Sequence, residues 1–498
     1  MKITSILSLL IFVSAATLGA KQPNILFIIV DDLRPELKAY GAEHMHTPNL
    51  DRLAREGLLF ENAYCNVPVC GASRASMLTG LRPTKDRFRY YDSRADKDAA
   101  GIIDLPSTFK KAGYRTVSNG KVYHHGDDNE DSWDESYRPK HWGQYFNPEN
   151  ITKQKLAREK GEKWLPAFEA SDEPVESYQG YKIAQKAIEE LRLSKETQQP
   201  AFITVGFTKP HLPFNCPKKY WDLYPASSIS LPDNYEKAKD IPNQLVNATD
   251  VELKRGYTNI PNDKNPLSEE LAIELIRGYF ACVSFTDDMI GLIFEAMDEE
   301  GFWENTIVVL TSDHGYQLGD HGVWCKHSLY DTSLRSPLIV SVPGMKGNQR
   351  TEALVEYVDL YPTLCDLAGL PKPTHLEGKS FAPLFANPTN PGMNPSLADG
   401  SMATPSKPSV ICTRSGATNK ARSLQTRSSI TSTILTKTTT SQPSLKAKPS
   451  SPSSLQSSTP SSSRTKKNEG YYQENTKGWR ACGLLPAFAF VMHISGPS

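Results

Sequence analysis

The chain has 498 residues, with 56 basic against 56 acidic side chains and a formal net charge of zero. That balance removes any global case for nucleic-acid binding, and the length allows a large core in one or two domains. Eight cysteines are too few for a disulfide scaffold at this length, and no Cys-x-x-Cys pair points to zinc.

Residues 1–20 read as a signal peptide: Lys2 is the positive start, 3–13 is largely apolar, and small residues precede cleavage after Ala16 or Ala20. The apolar run is too short to span a bilayer, so the expectation is an exported protein, periplasmic or extracellular, or lysosomal in an animal host, with no stable membrane insertion. Residues 24–30 form a continuous apolar run, as in a parallel strand buried on both faces, and end in Asp31-Asp32. Adjacent carboxylates there are costly unless a cation or base offsets them, and this end of an open α/β sheet is where ligands bind. The alternative is a solvated turn.

Residues 47–57 carry helix signals at both ends, with Thr47 as cap, Pro48 in the first turn and Gly57 as the stop. A strand over 58–64 then leads to Cys70-Gly71-Ala72-Ser73-Arg74 and on to Gly80. The composition of 73–78 suits a helix capped by Ser73, leaving free N–H groups near Cys70. With the Arg74 guanidinium, that position favours an oxyanion. The plainer reading is a buried structural cysteine.

A short helix over 107–112 and a strand over 114–118 precede Gly120-Lys121-Val122-Tyr123-His124-His125-Gly126. Weak periodicity over 127–177 suggests loops. The triplets at 150–152 and 247–249 fit the glycosylation pattern. A helix over 178–193 and a strand over 200–207 run into Lys209-Pro210-His211. A long helix over 268–297 precedes a strand over 306–310 that ends in Thr311-Ser312-Asp313-His314-Gly315. A strand over 337–342 and a helix over 358–367, stopped by Gly369, follow. Alternating strands and helices imply a mostly parallel sheet covered on both faces.

Beyond residue 385 the character changes. Residues 386–470 contain no Phe, Trp or Tyr, and only Asp399 and Glu469 are acidic. Such Ser/Thr/Pro/Lys-rich sequence cannot bury enough apolar surface to offset its chain entropy, so disorder is expected. The apolar run within the 471–498 tail is too short to span a bilayer.

The stretch from Cys70 to Gly80 resembles the sulfatase signature, Cys-x-Pro/Ala-Ser-Arg-x-x-x-Leu-Thr-Gly, with Ala72 where Pro is more common. The resemblance covers roughly residues 23–385 and implies an alkaline-phosphatase-like catalytic domain over 21–385. It also implies that a formylglycine-generating or sulfatase-maturating enzyme oxidises Cys70 to formylglycine, whose hydrate is the nucleophile. The family normally continues with a small antiparallel subdomain. Its absence from 386–470 suggests an out-of-frame translation, the alternative being a flexible stalk.

The oxygens of Asp31, Asp32 and Asp313 and the ring of His314 suit a hard divalent cation. The resemblance makes it one Ca2+ ion, with modified Cys70 as a further ligand. It places Arg74, Lys121, His124, His211 and Lys326 in sulfate binding and proton transfer, with His125 as a substitute for His124. The two residues between Lys121 and His124, and the 312–315 and 318–322 runs, resemble the iduronate-2-sulfatase-like branch. The implied function is hydrolysis of sulfate esters on a glycosaminoglycan- or algal-polysaccharide-like carbohydrate, at a uronate or other ring. The alternatives are a phosphonate or phosphate monoester hydrolase and a catalytically impaired binding protein.

Overall fold

The computed structural model describes residues 22–139, 145–162, 164–236, 251–262 and 266–390. The expected signal peptide, the low-complexity stretch beyond 390, the 471–498 tail and the 247–249 triplet lie outside them.

Twelve strands are described. They are β1 (Asn24–Val30), β2 (Leu58–Tyr64), β3 (Arg115–Gly120), β4 (Glu135–Tyr137), β5 (Phe168–Ser171), β6 (Ala201–Phe207), β7 (Phe214–Pro217), β8 (Thr306–Ser312), β9 (Gln317–Leu318), β10 (Trp324–Cys325), β11 (Leu338–Ser341) and β12 (Gln349–Glu356). Eight form one sheet in the order β12-β2-β11-β8-β1-β6-β3-β4. Only β11 runs antiparallel within it, against both β2 and β8. Among the described residues, the helices longer than four residues are α1 (Pro48–Glu56), α2 (Cys70–Thr79), α3 (Leu105–Lys111), α4 (Pro148–Glu159), α5 (Gln179–Thr197), α6 (Val251–Gly256), α7 (Glu269–Glu300) and α8 (Leu360–Leu367). This is the alkaline-phosphatase-like arrangement.

β1 lies between β6 and β8, pairing Val30 with Phe207 on one side and Ser312 on the other. All seven of its residues are buried. Strand side chains alternate between faces, so one strand feeds two cores. Leu26, Ile28 and Val30 pack with α5 and α7 through Ile183, Leu191, Phe285 and Ile290. Ile25, Phe27 and Ile29 pack with α2, α3 and α8 through Met77, Phe109 and Leu364. Each buried aliphatic or aromatic side chain contributes about 1.5–3 kcal/mol, which holds the strand ends in fixed register.

Some local readings need correction. Thr47 occupies the cap position of α1 but makes no capping bond. Asp287, reaching over from α7, accepts from the N–H groups of Asn49 (3.2 Å) and Leu50 (2.8 Å) instead. Gly57 ends α1 in extended backbone, and glycine is needed there for close approach: a Cβ would lie 2.6 Å from the Val340 carbonyl oxygen. The 127–177 region contains β4, α4 and β5, not loops alone. Asn150, in the first glycosylation-type triplet, donates its amide to Glu169 at 2.6 Å. Cys65, Cys70, Cys216, Cys282, Cys325 and Cys365 are buried free thiols. Among the described residues, no helix is long and apolar enough to cross a membrane.

Candidate active site

The C-terminal ends of neighbouring strands deliver the site. β1 ends in Asp31-Asp32, β8 in Asp313-His314 and β3 at Lys121, while Lys326 follows β10 and His211 follows β6. Asp32 takes a left-handed conformation (φ 64°) that aspartate tolerates better than most residues. Its carbonyl accepts from the Tyr279 hydroxyl of α7 at 2.8 Å, and its N–H donates to Asp313 Oδ1 at 3.1 Å.

Cys70 is the first residue of α2, and extended Val69 precedes it, so the helix begins four residues earlier than a Ser73 cap would place it. Ser73 is buried in the first turn. Its N–H bonds the Val69 carbonyl at 2.8 Å and its hydroxyl donates to the Asp313 carbonyl at 2.5 Å. It pins the helix to the end of β8. The neighbouring Gly71 is dictated by space, because a Cβ there would lie 2.0 Å from the Tyr91 carbonyl oxygen. Cys70 Sγ stands 3.1 Å from His314 Nε2 and 4.0 Å from Asp32 Oδ1. This sulfur marks the place that the carbonyl carbon and oxygens of formylglycine would take. Burial pushes the thiol well above its ordinary value, against Lys121 and Lys326.

Asp31, Asp32 and Asp313 are fully buried, with carboxylate oxygens that lie within 4.8 Å of one another. Asp32, Cys70 and His314 form a second such group, with His314 Nε2 3.6 Å from Asp32 and 3.7 Å from Asp313. Three buried anions demand compensation. Arg74, itself fully buried, donates to Asp313 Oδ2 at 2.9 Å, to Asp31 Oδ1 at 3.0 Å and to the carbonyls of Lys121 and Val122. The Lys121 ammonium bonds the other Asp31 oxygen. Burial alone would raise the Asp31 carboxyl, but Lys121 and Arg74 outweigh it and hold the group well below the usual carboxylate range.

On the far side of Asp32, Lys326 Nζ lies 3.0 Å from Asp32 Oδ2 and 3.1 Å from His211 Nε2. The His211 Nδ1 faces the Leu212 carbonyl at 2.7 Å. The same pair meets Glu252 of α6, 3.0 Å from His211 Nε2 and 2.7 Å from Lys326 Nζ. Burial opposes the Lys326 charge, yet Asp32 and Glu252 hold the ammonium well above its ordinary value.

The structure thus joins Asp31, Asp32, Cys70, Arg74, Lys121, His211, Asp313, His314 and Lys326 in one contact network. His124 stands apart. It is half-buried, its Nδ1 has no hydrogen-bond partner among the described residues, and its ring lies 5.0 Å from that of His125. Burial first, and then the Lys121 charge, push its pKa well below the ordinary histidine value. Glu252 and Tyr279 are the members that sequence reasoning missed, and Ser73 reads in the sequence only as a cap. Glu252 lies in a polar stretch with no catalytic motif around it, so only the folded chain reveals it.

The chain matches the sequence profile of the family described as Sulfatase over residues 23–370. It is 34% identical over 398 residues to iduronate 2-sulfatase of Mus musculus, covering 72% of this chain and 71% of the relative. It is 33% identical over 380 residues to a sulfatase of Formosa agariphila, covering 72% of each. A solved structure in complex with its substrate D-glucosamine-2-N,6-O-disulfate shares the fold, with TM-score 0.58, 23% identity and coverage of 74% of this chain and 81% of that one. The signature beginning at Cys70, the length of the match and the identity to these relatives lead to one assignment: the chain belongs to the sulfatase family of sulfuric ester hydrolases.

Proposed function

We propose that this protein hydrolyses sulfate esters of a glycosaminoglycan- or algal-polysaccharide-like carbohydrate, using a formylglycine made from Cys70 and a bound calcium ion. The observation that carries the reading is Cys70 Sγ at the rim of the three-aspartate cluster, 3.1 Å from His314, with Arg74 clamped beneath. Calcium binds oxygens at about 2.3–2.6 Å, so two ligands of one ion are at most about 5 Å apart. The carboxylate oxygens of Asp31, Asp32 and Asp313 meet that limit, and His314 Nε2 lies beside them. These four residues would hold the ion. Formylglycine would supply an oxygen nucleophile, and calcium a positive centre against the sulfate oxygens.

The remaining steps belong to the side chains of the chain itself. Lys121 and Lys326 neutralise charge that develops on the sulfate oxygens, and Arg74 fixes the carboxylates that orient the site. His211, with Nε2 between Lys326 and Glu252, gives its proton to the departing alkoxide. His124 accepts a proton during sulfate release. Residues 21–385 form the catalytic domain in this reading, exported and matured by a formylglycine-generating or sulfatase-maturating enzyme. The carbohydrate assignment is supported by the iduronate 2-sulfatase relative and by the disulfated glucosamine bound in the structural neighbour.

The test measures sulfate release from heparin-derived oligosaccharides and an aryl sulfate, with the aryl phosphonate of the same leaving group alongside. Preferred sulfate hydrolysis that Cys70→Ala abolishes supports the proposal. Preferred phosphonate hydrolysis, or full activity in Cys70→Ala, overturns it.

A further inference from the structure

A cavity of about 290 Å3 lies between the ends of β3 and β4, outside the cluster around Cys70. Its lining includes Tyr123, Trp133 and Tyr137 together with His125, Ser136 and Arg138. Val122 is its wall towards the site: it lines the cavity, and its carbonyl accepts from Arg74 Nη1 at 2.9 Å. The cavity and the sulfate-binding residues are therefore separated by one stretch of backbone.

Arg138 is the cation at this boundary. Its guanidinium donates to the carbonyls of His124 (3.0 Å) and Tyr123 (3.4 Å), and among the described residues no carboxylate forms an ion pair with it. The nearby Asp127 is engaged by Arg94 at 2.8 Å. Arg138 is solvent-exposed, and its head lies within electrostatic reach of Arg74 and Asp31. Gly126 makes room for it, since a Cβ there would come within 3.3 Å of Arg138 Cδ. His125, which also lines the cavity, has a buried Nε2 with no hydrogen-bond partner among the described residues.

We infer that this cavity is a subsite for the sugar unit next to the one that carries the scissile sulfate, with Arg138 pairing to an oxyanion on that unit. The inference rests on the sulfatase reading above. Aromatic side chains offer apolar faces to a sugar ring, and hydroxyl and imidazole groups offer hydrogen bonds to its edge. A guanidinium fork held by two carbonyls still has donors free for a carboxylate or sulfate. The cavity volume accommodates one monosaccharide.

The test titrates a heparin-derived tetrasaccharide into Cys70→Ala protein by calorimetry, with and without Arg138→Gln. Binding requires no turnover, so failure of the hydrolytic reading is seen separately, as absence of sulfate release by the unmutated protein. Arg138→Gln should weaken binding roughly tenfold to a hundredfold, the size of a charge-assisted pair. Gly126→Ala, which crowds the arginine stem without removing its charge, should weaken it less. If the oxyanion is a uronate, the carboxyl-reduced tetrasaccharide will bind equally to both proteins. If it is a second sulfate, the desulfated one will. Equal affinity of both proteins for the parent tetrasaccharide, or no binding by either, overturns the subsite.

Discussion

Replacing Arg74 by alanine removes a buried guanidinium that hydrogen-bonds two of the three clustered aspartates at once, Asp31 at 3.0 Å and Asp313 at 2.9 Å. All three groups are fully buried, so solvent cannot take over the lost interaction. Breaking a buried ion pair by deleting one partner costs about 3–5 kcal/mol. Lys121 still compensates Asp31, and Asp313 becomes the orphan. The full loss should therefore appear in chelator. A calcium ion held by Asp31, Asp32 and Asp313 would restore positive charge, so the deficit should shrink when calcium is added, in the manner of any ligand that binds the native state alone. Urea unfolding of both proteins, in EDTA and in millimolar calcium, gives the four free energies required. A deficit below about 1 kcal/mol in EDTA, or one that calcium leaves unchanged, would refute the reasoning.

Further expectations follow from single contacts. Glu252→Gln removes the negative charge shared by Lys326 and His211 and should lower kcat about tenfold, with a smaller change in KM; steady-state kinetics showing unchanged or faster turnover would contradict this role. Gly71→Ala must shift α2 because its Cβ would lie 2.0 Å from a backbone oxygen, so activity should fall steeply with a loss of roughly 1–3 kcal/mol in thermal or urea unfolding. Burial pushes the Asp287 carboxyl from 3.8 up to about 7. With its folded value raised, its contribution to stability is full below about pH 4 and is lost as pH rises through about 7, at no more than roughly 1.4 kcal/mol per pH unit. Asp287→Asn should flatten that slope in unfolding free energies measured from pH 4 to 8; an unchanged slope would assign it elsewhere.

The sheet was legible because its central strands are buried on both faces. Continuous apolar runs at 24–30, 200–207 and 306–310 carry that signal, and the charged motifs stand immediately after them. The residues of the site were legible as motifs, but their connections were not. Ser73 looks like a cap when only neighbours in sequence are considered. Its hydroxyl in fact bonds the Asp313 carbonyl, a partner 240 positions away. Asp287 and Glu252 illustrate the same limit, since one caps a helix from α7 and the other completes a charge network from a segment without a catalytic motif. Glycines also carried more than turn preference. Gly57 and Gly71 are required by backbone passing close by, a tertiary fact that composition does not encode.

The central claim is that the side chain at position 70 reacts as an aldehyde hydrate and not as a thiol. It is tested most directly by mass spectrometry of the tryptic peptide spanning Cys70, taken from the same preparations whose sulfate release is measured, produced with and without a maturating enzyme. The account predicts an aldehyde mass in the active preparations, with activity proportional to the converted fraction and absent at zero conversion. Full sulfatase activity from a preparation in which position 70 is entirely unmodified cysteine would contradict it.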